Sequence, residues 1–348
     1  MFTSLARRHS RCLRPSSCRG KLNIWESASV HQYTSISPFS TTRRCDAGPR
    51  IKAGGSFAKV RFSQTDVPQL AFWKERARPP LVSGLDPEDC FRSAHTYVDL
   101  AIADRPGWRN TLRDPPHSLS YETLHYMAAM VIAGSPGPAF PIALHIYTTL
   151  VSLNYTPSIL TMTRLALMRN LLGQPQFRET EEKFAALVRR KDDPNACTLQ
   201  GMILMAKSTP ETDKKALEWF RLAASLGGEE PGAWEWQGAC AVEMGKVYLR
   251  LKNPQRAKDI FKYSAETLDA PEAALLYSSL LDDSDPEKYI WTRKAAVSAV
   301  NNAAREMARL EGLRAPSQDS KSVGAWEKKK SLVLQREWEA IAGDRAIV

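Results

Sequence analysis

Four large aromatic residues recur at nearly constant spacing, and this recurrence restricts the chain more than any other feature. Tyr147, Phe184, Phe220 and Phe261 stand 37, 36 and 41 residues apart. Each closes a short helix-forming run, ALHIY, TEEKF, ALEWF or AKDIF, that opens on Ala143, Thr180, Ala216 or Ala257. A looser KYIWTRKAA follows around Trp291. The interval fits one helical hairpin. A lone hairpin cannot bury both of its faces, so units of this kind stack.

The local signals agree with helices throughout. Start signals precede one apolar run after another: Ser120 before YETLHYMAAMVIAG, Pro141 within AFPIALHIYTTLVSL, then Pro157, Pro210, Pro254 and Pro271. Proline in a helix's first turn sacrifices no hydrogen bond, because that N–H has no intrahelical acceptor. No alternating apolar and polar pattern of the strand type is present. The run KALEWFRLAASLGG predicts a helix with Trp219 and Phe220 in the core and with Ala223 and Ala224 admitting the next unit. The expected core is Tyr147, Phe184, Trp219, Phe220, Tyr248 and Phe261.

Within MGKVYLRLKNPQRAKDIFKYSAE, Met244, Gly245, Tyr248, Ala257, Phe261 and Ser264 stand at the spacing of the tetratricopeptide pattern. The stretch resembles that family, and KALEWFRLAASLGG resembles the second helix of its Sel-one-like variant, which has a longer loop. The likeness is best over residues 195 to 300. It departs from the pattern at Ala241, where the family has Trp, and at Ser264, where it has Ala. The resemblance implies an all-α fold, a right-handed solenoid of stacked helix-turn-helix repeats over residues 86–348. SVGAWEKKKSLVLQREWEAIA, residues 322–342, serves as a capping helix. It also implies that the first helix of a repeat lines a groove for protein partners. Met244, Gly245 and Tyr248 face the second helix of their own hairpin, so Val242, Lys246, Leu249 and Arg250 fall on the other side and become the candidate partner-binding residues. Lys246 and Arg250, four residues apart, suit an acidic segment or a terminal carboxylate. The alternative is two surface cations neutralised by neighbours such as Glu243.

Charge separates the leader from the body. Residues 1–62 hold twelve of the 48 basic residues but only Glu26 and Asp46 among 38 acidic ones, which leaves 36 against 36 for the remainder. The Arg-, Ser- and Thr-rich leader predicts a mitochondrial presequence, residues 1–44. SPFSTTRRCDAG resembles the end of a fungal-type matrix presequence, with cleavage after Arg44. The expected location is the matrix or the matrix face of the inner membrane. Residues 45–85, punctuated by Gly and Pro, read as an irregular arm that docks through Phe72 and Trp73.

Catalytic signatures are absent from the sequence. There is no phosphate loop, dinucleotide-binding glycine motif, HExxH pair, nucleophile elbow or EF-hand loop. The expectation is a non-enzymatic protein with no cofactor and no metal. His125 and His145, on apolar helices, read as core or groove histidines rather than ligands. Cys90, Cys197 and Cys240 read as small buried apolar residues. From Thr123 to Thr163, 41 residues pass without a charged side chain. Four prolines break this segment, and no run reaches the ~20 residues of a transmembrane helix. Burial at the centre of the stack is the expectation, and peripheral membrane contact is the alternative.

Two functions follow. The first is a mitochondrial protein-binding scaffold, such as an assembly or maintenance factor for an inner-membrane or ribosomal complex. The second is an RNA-associated factor, because ALHIYTTLVSLNYTPSILT resembles a pentatricopeptide unit. The balanced body speaks against RNA, since phosphate contacts call for a basic excess. The clusters Arg189 to Lys191 and Lys328 to Lys330 speak for it.

Overall fold

A computed structural model describes residues 62–77, 85–134, 137–314 and 325–347. The leader, with the predicted cleavage after Arg44, and most of the arm lie outside the described residues. Those described form fourteen α-helices and no strand. α1 (Leu70–Arg76) and α2 (Pro87–Ala103) come first, followed by helices that pack in consecutive pairs. The pairs are α3 (Tyr121–Gly134) with α4 (Phe140–Ser152), α5 (Thr156–Met168) with α6 (Arg178–Arg190), and α7 (Pro194–Met205) with α8 (Pro210–Gly227). They continue as α9 (Gln237–Arg250) with α10 (Pro254–Glu266), α11 (Pro271–Ser279) with α12 (Pro286–Val297), and α13 (Ala303–Arg314) with α14 (Ala325–Ile347). The substantial contacts join each helix to the next or to the next but one. Contacts this local belong to stacked repeats, in which each unit completes its neighbour's core.

Helix starts are marked as the sequence predicts. Proline stands at the first or second position of α2, α4, α5, α7, α8, α9's partner α10, α11 and α12. The side chains of Asp86, Asp193, Thr209, Asn253 and Asp285 accept hydrogen bonds from backbone N–H groups in the first turn of their helices. Each such cap stabilises its helix by about 1 kcal/mol.

The recurring aromatics do the packing. Tyr147, Phe220 and Phe261 are fully buried and Phe184 and Tyr248 nearly so, and Ala143, Thr180, Ala216 and Ala257 are buried beside them. Trp219 and Ala224 depart from the expectation. Trp219 is only half-buried, with the Lys191 ammonium 5.6 Å from its ring centre, and Ala224 is exposed. The helical period explains both. Once Ala216, Phe220 and Ala223 face the partner helix, the residues directly before Phe220 and after Ala223 are rotated off that face by about 100° each.

The uncharged segment is core. Leu124, Met127, Met130, Ile142, Ile146, Leu150, Ile159 and Leu160 are all buried. The arm contributes more than an irregular strand of chain, because Leu70–Arg76 is helical. Trp73 is buried on the body and donates its indole N–H to the Pro68 carbonyl, 3.0 Å away. A second, alanine-rich cluster built on Ala265, Ala273, Ala274, Ala295, Ala296 and Met307 continues the core into the last two pairs. Among the described residues no helix is long and apolar enough to cross a membrane.

Candidate functional site

The four predicted groove residues have different surroundings. Val242 is buried in the alanine-rich cluster, where α9 meets α10 and α11. Leu249 is half-buried against the main core. Lys246 is held from two sides, its ammonium 2.8 Å from Glu243 on α9 and 2.7 Å from Glu272 on α11. Burial acts to lower its pKa, but the two carboxylates outweigh it and raise the value above that of an ordinary lysine. Arg250 forms an ion pair with the buried carboxylate of Asp213 on α8 and donates to the Met205 carbonyl, 3.1 Å away at the end of α7. Lys246 and Arg250 thus lie on one helix face, as their spacing requires, and each fastens α9 to its neighbours.

A recess lies elsewhere on the same repeat. A cavity of about 790 Å³ opens between the carboxyl ends of α8 and α10, with α9 as its floor. Its walls are mostly side chains of low polarity, among them Trp234, Met244, Ile260, Tyr263 and Leu268. Tyr263 is 41% exposed at the rim. A volume of this size falls in the range of ligand and peptide-anchor sites.

The loop 228–236 shapes that recess. Gly228 and Gly232 have φ near +80°, a conformation strained for any residue with a side chain. The side chain of Gln237 closes the loop: its Oε1 accepts from the Gly232 N–H (2.9 Å) and its Nε2 donates to the Gly228 carbonyl (3.3 Å). The Tyr263 hydroxyl donates to the Glu229 carbonyl at 3.4 Å. The indole of Trp234 abuts Gly227, leaving no room for a β-carbon there. Two neighbouring glycines and a tryptophan seven residues after the first were the sequence sign of this loop.

The histidines are separated by their partners. His125 on α3 shares a 2.9 Å hydrogen bond with Ser158 and is ringed by Tyr126, Tyr147 and Tyr155. His145 on α4 meets the Tyr97 hydroxyl at 2.9 Å through Nδ1 and stacks on Trp108. Because Tyr97 gives its own proton to Thr149, Nδ1 of His145 carries the hydrogen in that contact. Burial lowers both imidazoles to about 4, with the nearby Arg109 adding to the effect at His145. Both rings are therefore neutral at physiological pH. No group of three metal-ligating side chains occurs among the described residues. Cys90, Cys197 and Cys240 are buried free thiols, and burial raises them to about 11, 11 and 12, so they stay protonated. No family model, curated protein or solved structure matches the chain.

Proposed function

We propose that the chain is a non-enzymatic mitochondrial scaffold that binds a protein partner, acting as an assembly or maintenance factor for an inner-membrane or ribosomal complex. Residues 1–44 direct import, and the stack beyond residue 86 coils as a right-handed solenoid. The observation that carries this reading is the open recess between α8 and α10. It presents Met244, Ile260 and the exposed ring of Tyr263 beside repeats whose recurring anchors, Tyr147, Phe184, Phe220 and Phe261, are spent on the core. Aromatic and Met side chains in a concave, mostly apolar site are the usual anchors for a partner's apolar side chain. The predicted basic pair fits RNA less well, since Lys246 and Arg250 are engaged by Glu243, Glu272 and Asp213. Phosphate binding would have to displace those carboxylates.

The test is import of the full chain into isolated mitochondria, followed by native electrophoresis of wild type and the recess variant Met244→Arg. Shortening of the chain by about the leader's length and a high-mass assembly lost only in Met244→Arg support the reading. Failure to enter, or an assembly that dissolves on ribonuclease treatment while tolerating Met244→Arg, contradicts it.

A further inference from the structure

Two consecutive pairs of the stack are built on one plan, so a position in one has a counterpart in the next. Phe220 on α8 and Phe261 on α10 each stand over a glycine of the helix before, Gly201 and Gly245. The residue directly before each ring is therefore turned the same way off the hairpin's inner face. On α8 that residue is Trp219, and on α10 it is Ile260.

The two counterparts meet different surroundings. Trp219 is half-buried at the carboxyl end of α6, where Lys191, the residue that ends the helix, holds its ammonium 5.6 Å from the ring centre. What stays open there is a smaller hollow of about 540 Å³, between Val188 and Arg189 of α6 and Gln200 of α7. One pair later, Ile260 lines the recess of about 790 Å³ together with Ala224, Ser225 and Gly228 at the carboxyl end of α8. Gly227 stands seven residues after Phe220, as Lys191 does after Phe184. The second place thus lacks both the indole and the ammonium of the first. Trp234 abuts Gly227 and forms one wall, and the space before Ile260 and Met244 remains open.

The charge at that place calls for a cation. Glu229 lines the recess and is exposed, Glu230 beside it is exposed as well, and no Lys or Arg is among the described residues that line it. The carboxyl ends of α8 and α10 both open on the recess, and each carries the partial negative charge of a helix end.

On the reading that the recess is the partner site, we propose that its occupant is a partner segment in which an aromatic residue stands next to Lys or Arg. The ring takes the place that Trp219 fills one pair earlier, against Ile260 and Met244, and the cation meets Glu229 and the two helix ends. A leucine-sized side chain leaves part of the hollow empty, and an acidic neighbour faces Glu229.

Methyl NMR of the full chain, labelled at Met and Ile, tests this with three dipeptide amides: acetyl-Trp-Lys, acetyl-Leu-Lys and acetyl-Trp-Glu. Acetyl-Trp-Lys is expected to shift the Met244 and Ile260 methyl signals and to bind about threefold or more tighter than either of the others. Ile260→Trp gives the recess its own indole and should abolish the shift at Met244 with unchanged helicity and melting. Glu229→Lys, at an exposed position, should reverse the preference between acetyl-Trp-Lys and acetyl-Trp-Glu. The proposal is overturned if no amide shifts these methyls at millimolar concentration, if acetyl-Leu-Lys binds as well as acetyl-Trp-Lys, or if Glu229→Lys leaves the preference unchanged. After import, an assembly lost in Met244→Arg but kept in Ile260→Trp would retain the recess as the partner site and overturn the aromatic occupant.

Discussion

The phenyl ring of Phe261 lies directly over the α-carbon of Gly245, so that any β-carbon at residue 245 would overlap the ring edge. One pair earlier, Phe220 stands over Gly201 in the same way, with its Cε1 2.5 Å from where a β-carbon would be. The two facing helices of each hairpin touch through a glycine on the first and a phenylalanine on the second.

That relationship predicts an unusual sign for a glycine in mid-helix. Replacing such a glycine by alanine ordinarily stabilises by up to about 1 kcal/mol. Here Gly245→Ala and Gly201→Ala should destabilise by about 1–3 kcal/mol, because the ring must move. Urea denaturation measures this, and Phe261→Leu combined with Gly245→Ala should recover part of the loss. Equal or higher midpoints in the alanine variants would show that the rings are free to shift.

Neighbouring aromatics should differ sharply. Phe220→Ala and Phe261→Ala each empty a fully buried site and should cost on the order of 3–5 kcal/mol. Trp219→Ala removes a larger but half-buried ring and should cost about 1–2 kcal/mol. Denaturation midpoints of the three variants compared side by side decide the matter.

The period, the helix starts and the aromatic anchors were legible in the sequence because each depends on near neighbours along the chain. Proline before an apolar run marks a helix start wherever the run packs, and Phe261 with Ala257 declares one face of one helix. What escaped depended on contacts between units. Trp219 and Phe220 are both large aromatics, and only the partner helix decides which is inside. Whether Lys246 and Arg250 are available or neutralised stayed open in the sequence, because their partners Glu272 and Asp213 lie 26 and 37 residues away. The recess needs the ends of α8 and α10 together, which no single motif announces.

Arg250 should matter for stability. Its partner Asp213 has a side chain only 5% exposed, whereas the Arg250 side chain is 35% exposed. Arg250→Ala leaves that buried carboxylate without its ion-pair partner and should cost about 2 kcal/mol. Adding Asp213→Asn should restore most of the loss. A double-mutant cycle by urea denaturation reads the coupling, and additive effects would mean that the pair contributes nothing.

Acid should loosen the stack before its carboxylates are titrated. Both His125 and His145 have folded-state values lowered from 6.5 to about 4, so the unfolded chain binds more protons between these limits. The two imidazoles leave stability unchanged above pH 6.5, and stability falls progressively as pH drops from 6.5 to about 4. The loss should amount to a few kcal/mol over that window. Urea midpoints measured across it should fall for wild type and change less for His125→Phe with His145→Phe. Equal slopes in the two proteins would place the acid sensitivity elsewhere.

The scaffold reading rests on the recess, and a photo-crosslinking side chain at Tyr263 reports on that recess alone. The full chain carrying p-benzoylphenylalanine in place of Tyr263 is imported into mitochondria, irradiated, and its adducts are analysed by mass spectrometry. The account predicts one dominant protein adduct, absent when Met244→Arg is introduced and absent when the photoreactive residue stands instead at exposed Arg256. No protein adduct at Tyr263, or the same adducts from Tyr263 and Arg256 regardless of Met244, would contradict it.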